Sequence, residues 1–293
     1  MARVRLLCVL SIIIKCVEGQ VRIEDLQNIF NRALFLSFSK ARLLFAFCVL
    51  ALCGLLVIFF HGLATAAGAG KGLWVGMSLT FLPIFLCAGM LLAAGVVLIR
   101  AYHDEIKNRP TTLWMVIDKS WEVVMGATYF AIPFILAYLV LWIGLGFFIL
   151  LSALPQIGPF FGVVLAFAPF LINVASLLLC LLNFAMLFFI TPLIALKGLD
   201  RQRISQMAMQ KLQIDLFPNL LLMGIAILPL FCVAALLMGG AFLTESVCAT
   251  SPTCLYTVLQ WFFIMIPFTA LLAPAVVFFF HFAAESHILL QKK

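Results

Sequence analysis

The stretch LWVGMSLTFLPIFLCAGMLLAAGVVLI, from Leu73 to Ile99, holds no charged residue, and Arg100-Ala-Tyr-His-Asp104 follows it at once. A helix crosses the roughly 30 Å hydrocarbon core of a bilayer with about 20 consecutive apolar residues. This stretch is long enough, and it stops where charge begins. Five more stretches read the same way: about Leu43 to Phe60, Ala127 to Leu154, Phe160 to Leu196, Leu216 to Leu243, and Leu255 to about Ala284. Together they predict an all-α integral membrane protein whose six transmembrane helices form three hairpins. Several stretches exceed a straight crossing, which predicts tilt or an extension of the helix beyond the membrane. Pro192, near the end of the fourth, marks an expected kink.

Composition agrees. Of 293 residues, 66% are hydrophobic and 10% charged, and the mean hydropathy is +1.24. Water-soluble domains carry about 25% charged residues, and a fold in water could not hide this much apolar surface. The net charge of +7 does not imply nucleic-acid binding, because the Lys and Arg residues fall between the apolar runs rather than in one basic stripe.

Their placement is a topology signal. Basic residues gather before the first span and in the charged breaks after the second and fourth, with Lys292 and Lys293 ending the sequence. The other three breaks hold Lys71 alone of the 18 Lys and Arg residues. Positive charge stays on the cytoplasmic side, so both termini are expected there. An ordinary bacterial inner (plasma) membrane is the expected location, since no eukaryotic lipidation or sorting motif is found. Residues 1–20 resemble a signal peptide, with Arg3 and Arg5 before the apolar Leu6–Ile14. Cleavage would place the new end outside, against the charge of everything that follows, so an uncleaved cytoplasmic or interfacial segment, or an over-extended gene start, is expected.

Residues 21–290 read as a single membrane domain with a threefold internal pattern, 21–100, 101–196 and 197–290. An amphipathic stretch precedes each pair of spans. Ile23, Leu26, Phe30 and Ala33 share one face of the first, and Leu113, Val116, Ile117 and Val124 one face of the second. Ile204, Met207, Ala208 and Leu212 share a face of the third. Helices of this kind lie in the membrane interface, apolar face down. The second span of each pair also carries a proline in similar surroundings: Phe81-Leu-Pro83-Ile, Phe167-Ala-Pro169-Phe and Met265-Ile-Pro267-Phe.

With Arg100-Ala-Tyr-His-Asp104 and Asp118-Lys-Ser-Trp121, this architecture resembles a loose group of uncharacterised bacterial six-span inner-membrane proteins. The group includes the YciC-like family and the membrane domain attached to some glycerophosphodiester phosphodiesterases. The resemblance covers roughly Val21 to His287 and carries over no functional residue.

Ionisable groups at bilayer depth are the usual functional clue, because they are costly there. The central parts of the six spans hold none. His281 and Glu285 stand four apart on one helical face, where they could form a proton or metal pair at the inner mouth. The plainer reading is that the sixth span has by then reached a wet interface. Tyr102, His103, Asp104 and Glu105 invite the same reading after the second span.

Asn173, Ser176 and Asn183 read as one polar stripe along the fourth span. Such side chains usually hydrogen-bond between helices, and a substrate-lining role is the alternative. Cys248 and Cys254 share an outer break with Pro252 and could close a disulfide in an oxidising compartment. Cys48, Cys53, Cys87, Cys180 and Cys232 lie singly among apolar residues and act as small hydrophobes. Trp74, Trp142 and Trp261 read as an outer aromatic belt, with Trp114 and Trp121 at the inner side.

No catalytic constellation, metal-ligand spacing or cofactor motif emerges. The expected function is that of a non-enzymatic membrane component, a scaffold or lipid- and partner-interacting protein with a basic cytoplasmic rim. Its expected partners are membrane lipids and proteins on the cytoplasmic face. The alternative is a small-solute transporter built on proline-broken helices. A continuous polar cavity past Asn173, Asn183 and the prolines would favour transport, and apolar grooves facing lipid would favour the first.

Overall fold

The computed structural model describes residues 23–68, 73–109, 112–152, 154, 158–198, 216–243 and 254–291. All regular structure among them is helical. In chain order the helices are α1 (Ile23–Ser37), α2 (Lys40–Gly68), α3 (Leu73–Ile106), α4 (Leu113–Thr128), α5 (Ile132–Ser152), α6 (Gly158–Lys197), α7 (Leu216–Leu243) and α8 (Cys254–Gln291). Six helical runs are long and apolar enough to cross a membrane. The protein is a multi-pass integral membrane protein.

α2, α3, α6 and α8 outrun their predicted spans, α7 coincides with its span, and α5 falls short of its own. At 1.5 Å per residue, the 40-residue α6 is about 60 Å long. All three hairpins are packed as pairs, α2 with α3, α5 with α6, and α7 with α8. α3 and the second half of α8 are central. Leu92, Val96, Val97, Leu98 and Ile99 of α3 are buried, and so is the run Ala275–His287 of α8. α2 and α6 flank this pair, α5 lies against α6 and α3, and α7 rests on α8. Outward faces of α5 and α7 keep Ile143, Leu150, Leu236, Phe242 and Leu243 exposed. An exposed apolar surface of that extent finds its solvent in lipid.

Two shorter helices close one end of the bundle. α1 packs on α8 through Ile29 and Ala33, and Phe30 meets Phe278 edge-on with ring centroids 5.1 Å apart. α4 packs on α3 through Val116, Ser120 and Val124. Of the faces expected from the sequence, Leu26, Phe30 and Ala33 of α1 and Leu113, Val116, Ile117 and Val124 of α4 join the core; the Ile23 side chain and the third stretch, 202–212, lie outside the described residues. α4 continues into α5 through a 3-10 turn, Tyr129–Ala131. Pro133 has no N–H to give the Tyr129 carbonyl, and the Ile132 N–H takes that carbonyl instead.

The prolines do not divide the other helices. Pro83, Pro229, Pro267 and Pro274 lie inside continuous helix, and α6 runs past Pro192 to Lys197. Gly198, at φ 86°, then ends it with its N–H on the Ile194 carbonyl, a left-handed cap that glycine adopts without penalty.

Candidate functional site: a buried polar knot and the groove beside it

Charged side chains converge where α1, α2, α3 and α8 meet. α1 brings Arg32 and Ser37, α2 brings Arg42, α3 brings Tyr102 and Glu105, and α8 brings His281 and Glu285. Tyr102 donates its hydroxyl to Glu285 Oε1 at 2.6 Å. The same oxygen lies 3.5 Å from Arg32 Nη1. Arg42 pairs with Glu105, donates to the Leu36 carbonyl near the end of α1 at 3.2 Å, and sets its guanidinium 5.9 Å from the Tyr102 ring centroid. The same ring stacks on His281, centroids 4.4 Å apart.

The Ser37 hydroxyl assigns the tautomer of His281. Ser37 spends its hydroxyl hydrogen on the Ala33 carbonyl, so its oxygen accepts from His281 Nδ1 at 3.4 Å. The hydrogen is then on Nδ1, and Nε2 is a buried acceptor without a hydrogen-bond partner among the described residues.

This corrects the expected wet interface. His281, Tyr102 and Glu285 are 0%, 1% and 7% exposed. His103 and Asp104 are half-buried, and only Glu105 is exposed as expected. The burial comes from α1, which folds back over the end of α8 and shuts water out of the His281–Glu285 face. Arg32, Ser37 and Arg42 had no assigned role in the sequence reading, where the two arginines counted only as topology charges. The signal for Arg42 was its position beside the start of an apolar run.

Behind the knot, Arg100 ties three helices. Its Nε donates to the Ala195 carbonyl of α6 at 2.9 Å and its Nη1 to Ser120 Oγ of α4 at 2.7 Å. Replacing Ser120 by alanine should cost about 1 kcal/mol, since the guanidinium keeps its carbonyl partner. A thermal midpoint in detergent micelles checks this.

Beside the knot lies a cavity of about 1020 Å³ between α2, α3 and α4, at the top of the roughly 300–1,000 Å³ usual for ligand sites. Arg42, Glu105, Asn108 and Arg109 line one end, and Leu44, Phe45 and Cys48 line the wall that α2 contributes below them. Leu113, Trp114 and Ile117 of α4 form the facing wall. The α3 terminus fixes Arg109. Asn108 sits at φ 53°, its N–H reaches the Glu105 carbonyl at 2.9 Å, and the Arg109 N–H reaches the Asp104 carbonyl at 3.0 Å. That pair of bonds is a Schellman cap. A second, smaller cavity of about 230 Å³ near Pro83, His61 and Trp261 is mostly apolar.

The other expected sites fare variously. Ser176 and Asn183 are buried, but Asn173 is exposed, so the polar stripe divides. At about 100° per residue, Asn183 falls within about 20° of Ser176 around the helix, while Asn173 is about 60° away from Ser176. Trp142 leaves the expected belt: it is buried with Phe85, Tyr138 and Leu145 in a small second core. Cys248 lies outside the described residues and the Cys254 side chain does too, so their pairing falls outside them as well.

No family model matches the chain, and neither a curated protein nor a solved structure does.

Proposed function

We propose that the protein is a non-enzymatic membrane component that engages lipid at its charged end, with that end on the cytoplasmic side of a bacterial inner membrane. The observation that carries this reading is the position of the 1020 Å³ cavity: it sits at the charged end against the outer helices α2 and α4, not along the bundle axis. The axis is occupied by Phe278, Phe280, Phe282, Leu92 and Val96, all buried. Around the cavity, α4 keeps Trp114 and Trp121 exposed, side chains that favour the headgroup level of a bilayer. Lys40, Lys107, Arg109 and Lys119 are exposed at the same end. Each basic residue near an anionic leaflet contributes about 1 kcal/mol.

The transport alternative draws less support. Asn173 and Pro267 are exposed, whereas Asn183 and Pro83 are buried, so these residues do not line one continuous space.

The test is purification of the full chain in mild detergent, with copurifying lipids and proteins identified. Enrichment of anionic lipid over the bulk membrane is expected. A lipid complement identical to the bulk, with no protein partner, would refute the reading. For orientation, reporters fused within residues 197–211 and 244–254 should report opposite compartments.

A further inference from the structure

We infer that the groove between α2, α3 and α4 is the seat of one monoanionic phospholipid, its phosphate held between Arg109 and Arg42 and an acyl chain laid along Phe45 and Cys48. This deepens the lipid reading above and rests on it.

Three features argue for that occupant. The first is charge: two guanidiniums, Arg42 and Arg109, face one carboxylate, Glu105, which leaves a single net positive charge at the polar end. A phosphodiester headgroup with one negative charge balances it; a zwitterionic headgroup would bring a surplus cation. The planar donor fork of arginine also suits phosphate oxygens in two-point contact.

The second is polarity along the groove. From Arg42 to Cys48, α2 descends about 9 Å at 1.5 Å per residue, and its lining passes from guanidinium to Phe45 and an exposed thiol. A free phosphate ion would use only the upper end. An amphiphile uses both.

The third is preparation. The Schellman cap holds the Arg109 backbone in place before any ligand arrives. Arg42 is nearly covered and fixed at three points, by Glu105, the Leu36 carbonyl and the Tyr102 ring. Groups held in place beforehand lose less freedom on binding.

The test is native mass spectrometry of the full chain from mixed micelles containing phosphatidylglycerol or phosphatidylcholine, with and without inorganic phosphate. Arg109→Gln and Cys48→Trp are the test variants. Both positions are exposed, so neither substitution threatens the fold. Lys71→Gln, in the break between α2 and α3 at the opposite end of that hairpin from the groove, is the control. We expect wild-type protein to retain phosphatidylglycerol at least tenfold over phosphatidylcholine, and Arg109→Gln to lower that retention about tenfold. Cys48→Trp, which fills the lower groove, should lower it at least as far, and Lys71→Gln, remote from the charged end, should leave it within about twofold.

If phosphatidylglycerol is preferred but both groove variants keep the preference, the groove is not the seat, and the broader lipid reading stands. If the wild type shows no preference, both fall. If millimolar phosphate displaces the lipid while Cys48→Trp has no effect, the site takes a free anion and the inference is overturned.

Discussion

Replacing Gly95 with leucine is expected to destabilise the bundle by about 3 kcal/mol or more, the upper range for forcing atoms into a packed core. Gly95 lies on α3 where that helix touches both α6 and α8. A Cβ built there would stand 2.7 Å from Phe280 Cδ1 and 2.7 Å from Thr191 Cγ2, closer than carbon atoms pack. Neither neighbour can retreat. Phe280 is buried on the central face of α8 and meets the Phe279 ring edge-on at 5.3 Å. Thr191 is β-branched and stiff, and its hydroxyl is tied to the Leu187 carbonyl at 2.6 Å. Even Gly95→Ala should cost about 1–3 kcal/mol. Small residues at such crossings let membrane helices approach closely.

Two other glycines calibrate the result. At Gly54 the obstructing atoms belong to the Met265 side chain, an unbranched thioether that can swing aside, so Gly54→Ala should cost less. At Gly224 nothing lies within 4 Å, and Gly224→Ala should be close to neutral. Thermal midpoints of the three alanine variants in one detergent check the ranking. Equal midpoints for Gly95→Ala and Gly224→Ala would mean that α3, α6 and α8 do not meet at Gly95.

Gly95 also marks the limit of what the sequence shows. The six spans are legible because each depends on one local property, an unbroken apolar run of sufficient length, as in Leu73 to Ile99. The amphipathic faces of α1 and α4 are legible for the same reason, since helical periodicity is written within the helix. Which helix meets which is not local. Nothing in Ala94-Gly95-Val96 distinguishes a glycine under Phe280 from Gly224 in open space. Likewise, His281 and Glu285 carry a visible i, i+4 signal, but their burial depends on α1, more than 240 residues earlier in the chain (Ser37 and His281 are 244 apart). Charge patterning reports sidedness. It assigned Arg42 and Arg32 correctly to one end with Lys40 and Arg100, but it could not say that Arg42 would bond inward while Arg32 stays half in solvent. Asn173, Ser176 and Asn183 misled because intervals of three and seven residues sum to ten, a drift of about 80° around the helix.

Removing the Glu285 carboxylate is the second large effect expected. Glu285→Ala should cost about 2–3 kcal/mol, because the buried Tyr102 hydroxyl loses a charged acceptor 2.6 Å away. Arg32 contributes less to this tie: its side chain is 57% exposed, and a screened pair of that kind is worth about 0–1 kcal/mol. Arg32→Ala should therefore cost under about 1 kcal/mol. Glu285→Gln keeps an oxygen for Tyr102 and surrenders only the charge, so it should fall between the two. Tyr102 and Glu285 act as one unit, and a double-mutant cycle with Tyr102→Phe should show coupling of about 1.5–3 kcal/mol. The decisive variant is the fully apolar one. A buried polar pair is often replaceable by hydrophobic side chains of similar volume without loss of stability, whereas breaking it from one side is costly. Tyr102→Phe combined with Glu285→Met should thus recover most of what Glu285→Ala loses. If it does, the polar tie contributes little net stability, and its place in the fold is to set where α1 docks on α8. Protease access to the loop between α1 and α2 should then rise in the apolar double variant while its thermal midpoint stays near that of the wild type. A midpoint as low as that of Glu285→Ala would show instead that the hydrogen bond itself holds the helices together.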